Sequence, residues 1–338
     1  MSFFRTSEPA QHCLTRNQAS PIGPQLKFVP YHQLAETPNI IVDGPANSHT
    51  VLSLSHWVNS GTPIELKDDL SVSTVFRYLD RPEYHVDVPA VSNNHYDEDG
   101  LVSVYIMLNP QQAQQQRQLL IDIANAGDFG RFSLPEAARA VFVLSAFSDP
   151  QRSPLPKDLF ALPYPDMCGR LYDELLPVLA RLLKDPLQYA QWWQDEEQFL
   201  HKSEQAIANG TVTVESKPDL DLAIVRYPEN FPNYECHQFA IHNATDCFRI
   251  LIIDGSHSRF YYRYESWVDY TSRRPQPRID LSELASQLSQ LESAGAKWEF
   301  DGIQHTTPRL QLANHRQSTI AAETLVALVE QCLMPKPL

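Results

Sequence analysis

The residues with the clearest chemical meaning lie in a short stretch that combines an imidazole with three carboxylates. His95, Asp97 and Asp99 are spaced two positions apart, and Gly100 closes the stretch. Carboxylates at this spacing, on a strand end or in a tight turn, can converge on one hard divalent ion, and the imidazole adds a nitrogen ligand. Without a cation the carboxylates would repel one another. The spacing predicts a Mn²⁺ or Mg²⁺ site, and an exposed acidic turn is the alternative.

Further candidate ligands end apolar runs in the same half of the chain. Asp43 follows "IIV", His56 follows "VLSLS", and Asp128 follows a predicted helix. Polar residues at the carboxyl ends of strands are where α/β sheets build their sites. Taken singly, each residue also fits a turn or a capping role, but together they are enough for one or two ions. The predicted metal ligands are His95, Asp97, Asp99, Asp43, Asp128 and His56.

The second half of the chain offers cations that suit an anionic substrate. Arg263, Arg273 and Arg274 are predicted to bind a phosphate or carboxylate, because a guanidinium can clamp such groups with two hydrogen bonds. The alternative is that they are ordinary cations on a strand or loop.

Aromatic residues next to these arginines suggest a stacking surface. "FYYRYESW" predicts Tyr262, Tyr264 and Trp267 on one strand face, either to stack a base or as part of the core. His237 and His242 are five apart in another predicted strand, so they would face opposite sides.

These side chains need elements that hold them, and the first half predicts a sheet with helices. Strands are predicted over 39–44, 50–57 and 85–92, and a helix over 65–80. The run "LVSVYIML" after the acidic stretch fits a strand or a buried helix. A helix is favoured, because Asp97 and Asp99 would then precede its N-terminus, where anions are stabilised.

Several helices are predicted further along the chain. One covers 110–130 and ends at Gly127, with Asp128 just beyond it, and another covers 133–147 with Ser133 as N-cap of a capping box. A long helical stretch, from about 167 to 208, is interrupted near a proline.

The sequence pattern changes after residue 211, where segments rich in β-branched and aromatic residues alternate with turns, as in a mainly antiparallel sheet. Helices are also predicted over 280–293, with Asp280 as a cap, and over 316–333. The predicted fold is α/β: an N-terminal, mostly parallel sheet with helices on its faces, a helical linker, and a smaller α+β domain with a mainly antiparallel sheet. The predicted divisions are an N-terminal arm (1–36), an α/β metal-site domain (37–210) and an α+β substrate-binding-like domain (211–338).

Composition limits the classes of function. The formal charge of −14 disfavours a long nucleic-acid partner, and no apolar run is long enough for a membrane span. The N-terminus lacks a secretory signal and the five cysteines are scattered, so a cytoplasmic protein with reduced thiols is expected. Walker, dinucleotide-binding and nucleophile-elbow motifs do not occur in the sequence. The composition is compatible with a homo-oligomer as well as with a monomer.

Four short motifs resemble those of the DHH phosphoesterase superfamily. "HYDEDGLVS" is similar to its first motif, in which a His and an Asp-x-Asp bind manganese, and "IIVDG" to its second, a strand that ends in Asp. "VLSLSHW" resembles the third, although Ser55 and Trp57 replace the Asp and second His that would flank His56. "NAGDFGRF" resembles the fourth. The order is permuted, because the first motif follows the other two.

The later block, "FRILIIDGSHSRFYYRYESWV" followed by a helix and "WEFDGIQHTTPRL", is similar in outline to the C-terminal substrate-binding domain of that superfamily, without its Gly-Gly-His signature. Over its whole length the chain looks like an uncharacterised bacterial family of unknown function. The DHH resemblance implies a Mn²⁺- or Mg²⁺-dependent hydrolase of a small phosphorylated substrate. Because the third motif lacks an Asp and a His, the sequence favours one bound ion over two.

Two functional hypotheses follow. In the first, the chain hydrolyses a small phosphoester or phosphoanhydride, with Asp97, Asp99 and His56 as catalytic residues and an arginine of the second half on the substrate. In the second, the chain is a non-catalytic binding or regulatory module that retains the fold with a degenerate site. The discriminating feature is whether five of the candidate ligands converge within about 5 Å of a common point: Asp43, His56, Asp97, Asp99 and Asp128. A third possibility is that the resemblance is chance and the acidic turn only solvates a loop.

Overall fold

The fold is mixed α/β and begins with a small parallel sheet, as the sequence predicted. The computed structural model describes residues 26–228, 236–254, 257–313 and 318–334. The first sheet has the order β1-β4-β2-β3, and each neighbouring pair is parallel. Its strands are β1 (Lys27–Phe28), β2 (Asn39–Val42), β3 (Thr50–Leu54) and β4 (Ala90–Ser92).

Helices cover this sheet and continue into a helical layer. The helices of this half are α1 (Ser71–Leu79), α2 (Glu98–Leu108), α3 (Pro110–Gln115), α4 (Arg117–Phe129), α5 (Pro135–Ser148), α6 (Tyr164–Leu182) and α7 (Ala190–Ala208). The central helix is α2, which packs on α1, α4, α6 and the sheet and is therefore buried along nearly its whole length. This confirms a buried helix for "LVSVYIML".

The second sheet is mainly antiparallel, as predicted. Its strands are β5 (Thr213–Lys217), β6 (Leu222–Arg226), β7 (Arg249–Ile253), β8 (Arg259–Tyr262), β9 (Trp298–Phe300) and β10 (Arg309–Leu312). They have the order β5-β6-β7-β8-β10-β9, with one parallel pair, β6 with β7. The helices of this half are α8 (Gln238–Asn243), α9 (Ser282–Leu291) and α10 (Ala322–Leu333). One face of the sheet packs on α9 and α10, and the other on α7 and α8.

The predicted end of a helix at Gly127 is wrong, since α4 continues to Phe129 and ends at Gly130, which has a φ of +63°. Gly127 serves close packing instead. A Cβ at Gly127 would lie 2.6 Å from the Cβ of Glu98, so only a glycine lets α4 approach α2 this closely. Asp128 consequently lies inside the last turn of α4.

Two further helix starts differ from the prediction. The N-cap of α5 is Leu134 rather than Ser133, because the carboxylate of Asp122 accepts the backbone N–H groups of both residues. Helix α1 begins at Ser71, later than the predicted start at residue 65, after an irregular segment.

The segment with His237 and His242 is also not a strand. It forms helix α8, with His237 at its N-cap. The apolar pattern of this segment fits one short buried helix as well as a strand, so periodicity could not separate the two.

The predicted N-terminal arm lies mostly outside the described residues, which begin at residue 26. Its last part is not an arm, because β1 pairs with β4 and extends the parallel sheet. Residues 316 and 317 of the last predicted helix also lie outside the described residues, and α10 begins at Ala322.

Candidate metal centre

Three parallel strands place the first candidate ligands at one edge of the sheet. Asp43 directly follows β2, His56 lies two residues after β3, and His95 three residues after β4. Strand β2 lies between β4 and β3, so Asp43 lies between the two histidines. The carboxyl ends of parallel strands share one edge, which is why residues distant in sequence meet here.

Six predicted ligands form one connected cluster, which we call the acidic cluster: Asp43, His56, His95, Asp97, Asp99 and Asp128. The Nε2 atom of His95 is 2.7 Å from Asp97 Oδ2 and 3.5 Å from Asp43 Oδ2. The Nε2 atom of His56 is 3.4 Å from Asp43 Oδ1 and 3.5 Å from Asp128 Oδ2. Asp43 thus presents one oxygen to each histidine.

The cluster contains two overlapping groups that could each hold a metal ion. One group is Asp43, His95 and Asp97, and the other is Asp43, His56 and Asp99. Within each group the ligand atoms lie within 4.8 Å of one another. The side chains of His95 and Asp97 keep 18% and 28% of their exposure, whereas that of His56 has none. The first group therefore faces solvent, and the second lies behind it.

The start of helix α2 fixes two of the carboxylates. Asp97 is the N-cap and accepts the N–H of Gly100 at 2.8 Å. Asp99 lies in the first turn, not before it as predicted. A Cβ at Gly100 would lie 2.2 Å from Asn93 Nδ2 and 2.6 Å from the hydroxyl of Tyr172, so a larger residue here would have to displace both side chains.

The start of helix α1 fixes the carboxylate of Asp99 from the other side. The backbone N–H groups of Ser71 and Val72 each donate to it at 2.8 Å. A helix N-terminus favours negative charge, so α1 stabilises the ionised form of Asp99 and orients it. The hydroxyl of Ser71 also donates to Asp43 Oδ1 at 2.8 Å. Sequence reasoning missed Ser71, although its place at the start of an amphipathic segment was visible.

The ring of His56 has a defined orientation. Its Nδ1 is 2.7 Å from the carbonyl oxygen of Asp69, which can only accept, so Nδ1 carries a proton. The Nε2 atom then faces the carboxylates of Asp43, Asp99 and Asp128. Within the described part of the chain, neither His56 Nε2 nor Asp128 Oδ2 has a hydrogen-bond partner, and both atoms are buried. Such a contact needs a positive charge, either a second proton on His56 or a cation.

The pKa values of the cluster also indicate that it needs positive charge. Burial lowers the pKa of His56 and His95, but the carboxylates close to each ring outweigh it and raise both pKa values to about 9. Asp43 and Asp99 act on His56, and Asp97 and Asp43 act on His95. Burial, then the charge of Asp43, raises the pKa of Asp99 to about 7. Burial and the other carboxylates hold the pKa of Asp128 well above its usual range. A metal-free cluster therefore retains protons to reduce its negative charge.

Asp97 behaves differently from the other carboxylates. Burial opposes its ionisation, but the charge and hydrogen bond of His95 and the N–H of Gly100 bring its pKa down to about 2. Asp97 and His95 thus form an ion pair at the solvent-facing side of the cluster.

Residues of the second half form hydrogen bonds with two segments of the first half that carry candidate ligands. At the end of helix α4, next to Asp128, the carbonyl oxygen of Phe129 accepts from Nδ1 of His242 at 2.7 Å and from Nη2 of Arg263 at 3.2 Å. In the loop after β3, the carbonyl oxygen of His56 accepts the backbone N–H of Asp269 at 2.8 Å. Both halves therefore position ligands of the acidic cluster.

The carboxylate of Asp69 makes a further tie between the halves. It accepts the backbone N–H groups of Thr271 at 2.6 Å and Ser272 at 2.8 Å, and Lys67 forms an ion pair with Asp269. Because the carbonyl of Asp69 also accepts from the His56 ring, this loop links the second half directly to a candidate ligand.

The three predicted arginines have different surroundings. Arg263 is fully buried, and each nitrogen of its guanidinium already has an acceptor. Arg273 bonds Asp221 and lies 3.5 Å over the ring of Phe248, and Arg274 is exposed. A substrate-binding role has no support at Arg263, because no nitrogen of its guanidinium is left for a ligand.

The predicted aromatic face is wrong, because β8 ends at Tyr262 and a 3-10 turn follows. Tyr262 belongs to the core of the second half. Tyr264 and Trp267 stack on each other with ring centroids 5.7 Å apart, and the ring of Tyr264 lies 5.8 Å from that of His56. The turn carries these two rings to the acidic cluster.

The fold and the cluster together define a mixed α/β protein with an Asp/His group at the carboxyl edge of its parallel sheet. The chain belongs to the family of unknown function DUF6687, whose model matches residues 24–332. No curated protein matches the chain, and neither comparison supports the resemblance to the DHH superfamily. In the described part of the chain, no helix is long and apolar enough to cross a membrane.

Proposed function

We propose that this protein is a metal-dependent hydrolase of a small phosphoester or phosphoanhydride, with one or two Mn²⁺ or Mg²⁺ ions in the acidic cluster. The observation that carries this proposal is the pair of buried, unpartnered atoms, His56 Nε2 and Asp128 Oδ2, which lie 3.5 Å apart in the described part of the chain. Leaving buried polar atoms without partners costs free energy, and one cation between them would satisfy both.

The charge of the cluster fits this proposal. Its four carboxylates, when ionised, carry a negative charge that two divalent cations would balance while both histidines stay neutral. Carboxylate oxygens with imidazole nitrogens suit Mn²⁺, and Mg²⁺ prefers the oxygen ligands. Asp43 belongs to both ligand groups and is suited to bridge two ions, because its two oxygens face different histidines.

In this reaction the ions would polarise the phosphoryl group and lower the pKa of the attacking water. The residues of the chain would hold and orient the site. Asp99 is fixed by two backbone N–H groups of α1, and His56 by the carbonyl of Asp69. Asp97 and His95 lie on the solvent-facing side, where a substrate would enter. The short motifs similar to DHH phosphoesterases suggest the same class of reaction.

A second function, a non-catalytic binding module, is favoured by the loop after β3. Ser55 is buried, and its carbonyl oxygen accepts the hydroxyls of Ser60 and Thr62. Trp57 offers neither a metal ligand nor a group that transfers a proton at neutral pH. This loop thus contributes His56 as its candidate ligand and otherwise serves structure. A module of this kind would bind metal and an anion without hydrolysis.

Thermal melting tests the metal site. We expect Mn²⁺ to raise the melting midpoint above that in EDTA, by an amount that corresponds to about 2.7 kcal/mol at a hundredfold excess over Kd. Asp43→Asn should lose most of this increase, because Asp43 is shared by both ligand groups.

Asp122→Asn is the matched control. Asp122 is buried in the same half, but it accepts the backbone N–H groups of Ser133 and Leu134, outside the cluster. This variant should lower stability yet keep the full increase with Mn²⁺. An unchanged midpoint of the wild-type protein with Mn²⁺ would end both metal hypotheses.

Hydrolysis separates the enzyme from the binding module. We expect Mn²⁺-dependent release of p-nitrophenol from p-nitrophenyl phosphate or bis(p-nitrophenyl) phosphate, and its loss in Asp97→Ala. Equal rates in the two proteins would exclude catalysis at this site. A Mn²⁺-stabilised protein that hydrolyses neither ester would favour the binding module.

A further inference from the structure

Trp57 lies beside the acidic cluster as part of a group of aromatic rings. Its ring centroid is 5.2 Å from that of His95 and 5.3 Å from that of Trp267. Trp267 stacks on Tyr264, which contacts His56. These rings come from both halves of the chain, and Trp57 lies next to the solvent-facing ligand His95.

The indole nitrogen of Trp57 is buried, and it has no hydrogen-bond partner among the residues that the structure describes. An indole N–H can only donate, so it needs an acceptor oxygen. Two other tryptophans have one: Trp193 donates to the carbonyl of Pro186 at 3.2 Å, and Trp298 donates to Glu292 at 2.9 Å. A buried donor without a partner is uncommon and calls for an acceptor from a ligand or water.

The chemistry of the site indicates which acceptor is missing. Next to a carboxylate cluster, a free anion would be repelled, but an anion bound through divalent cations would bring unpaired oxygens to the rings beside His95. An indole N–H donates without accepting and does not titrate in the physiological range. It therefore suits the recognition of an oxygen without taking part in proton transfer.

We propose that Trp57 is a substrate-contacting residue whose indole N–H donates to a phosphoryl oxygen of an anion held at the acidic cluster. This inference rests on the proposed function, because the ions are needed to hold the anion. It assigns the recognition of the phosphoryl group to an uncharged donor of the first half, where the sequence predicted arginines of the second half.

Anion affinity tests the inference in the full-length protein. Calorimetric titration of inorganic phosphate into the Mn²⁺-loaded protein should show about tenfold weaker binding for Trp57→Phe, which keeps an aromatic ring but removes the donor. Stabilisation by Mn²⁺ should be the same in both proteins, because Trp57 is not a ligand. Trp193→Phe, which removes an N–H that donates to the carbonyl of Pro186, is the matched control and should bind phosphate as the wild-type protein does.

A spectroscopic signal gives a second measurement. The indole N–H resonance of Trp57 is assigned by its absence in Trp57→Phe, in protein loaded with diamagnetic Mg²⁺. Inorganic phosphate should move it downfield as the hydrogen bond forms. Equal phosphate affinity of the wild type and Trp57→Phe, or a resonance that stays in place while phosphate binds, would overturn the inference. Stabilisation by Mn²⁺ without any phosphate binding would also overturn it and would leave the metal site intact.

Discussion

The two halves of the molecule bury charge in opposite ways. In the second half, Arg263 and Glu265 are both nearly fully buried and form an ion pair. The remaining donors of Arg263 bond backbone carbonyls, including those of Phe129 and Thr245. In the first half, the acidic cluster brings together four carboxylates and two histidines and leaves buried atoms unpartnered in the described part of the chain.

This difference separates a structural site from a site for a ligand. Burying a charge is costly unless partners compensate for it, and the Arg263 site supplies its partners from within the chain. The acidic cluster lacks positive charge, and its histidines compensate by retaining protons. We infer that the Arg263 site is complete in the folded chain, whereas the acidic cluster is completed by cations.

The largest change in stability should come from a substitution that breaks the ion pair of Arg263 with Glu265. Arg263→Met leaves Glu265 buried without its ion-pair partner, so we expect a loss of about 3–5 kcal/mol in the free energy of unfolding, measured by urea denaturation. The loss should be similar in EDTA and in Mn²⁺, because the pair is already satisfied within the chain.

A second change tests whether the unpaired charge causes this loss. Adding Glu265→Leu to Arg263→Met should recover a large part of the stability, since the buried carboxylate is removed as well. Glu323→Gln, which breaks an exposed ion pair with Arg226, should cost at most about 1 kcal/mol. A comparable loss in Arg263→Met and Glu323→Gln would contradict the comparison of the two halves.

Removing a carboxylate from the acidic cluster should increase the free energy of unfolding of the metal-free protein, whereas Arg263→Met should decrease it. In EDTA, Asp128→Asn removes a buried carboxyl whose pKa is held well above its usual range, so the folded state no longer needs to take up that proton at neutral pH. We expect the variant to be more stable than the wild-type protein by about 1 kcal/mol or more in urea denaturation with EDTA. With Mn²⁺ the order should reverse, because the variant lacks a ligand. A variant that is less stable under both conditions would indicate that Asp128 is a structural carboxylate.

The sequence predicted the three strands that lead to this cluster, although β2 and β3 end at Val42 and Leu54, before the predicted ends at residues 44 and 57, and β4 begins at Ala90 rather than at residue 85. The apolar runs before Asp43 and His56 and the acidic stretch after β4 are local patterns, and strand order places such residues at one edge. The position of Asp97 favours a helix over a strand for the segment that forms α2, and Asp97 is the N-cap of this helix.

What depends on contacts between distant elements could not be predicted. Gly127 looked like a helix end, but its role comes from the approach of Glu98 on another helix. Arg263 was predicted to bind an anionic substrate, but it is buried, and its guanidinium donates to carbonyls of α4 and α8. Helix α8 was predicted as a strand because its six residues carry too little periodicity to separate the two.

A dependence on pH distinguishes the two sites without mutation. In the metal-free protein the pKa values of His56 and His95 are raised to about 9, so both bind protons that the unfolded chain releases near pH 6.5. Their stabilising contribution is therefore fully present below pH 6.5 and is lost as the pH rises through about 9. Mn²⁺ must displace these protons, so its apparent affinity should rise with pH, by up to about a hundredfold per pH unit if two protons leave.

At a fixed Mn²⁺ concentration, the increase in melting midpoint over EDTA should thus be larger at about pH 8 than at about pH 6. Asp43→Asn should show little increase at either pH, and Arg263→Met should keep the pH dependence of the wild-type protein. A Mn²⁺-induced increase that is equal at both pH values would mean that the metal binds without displacing protons from His56 and His95. The ligands would then have to be sought outside the two groups that share Asp43.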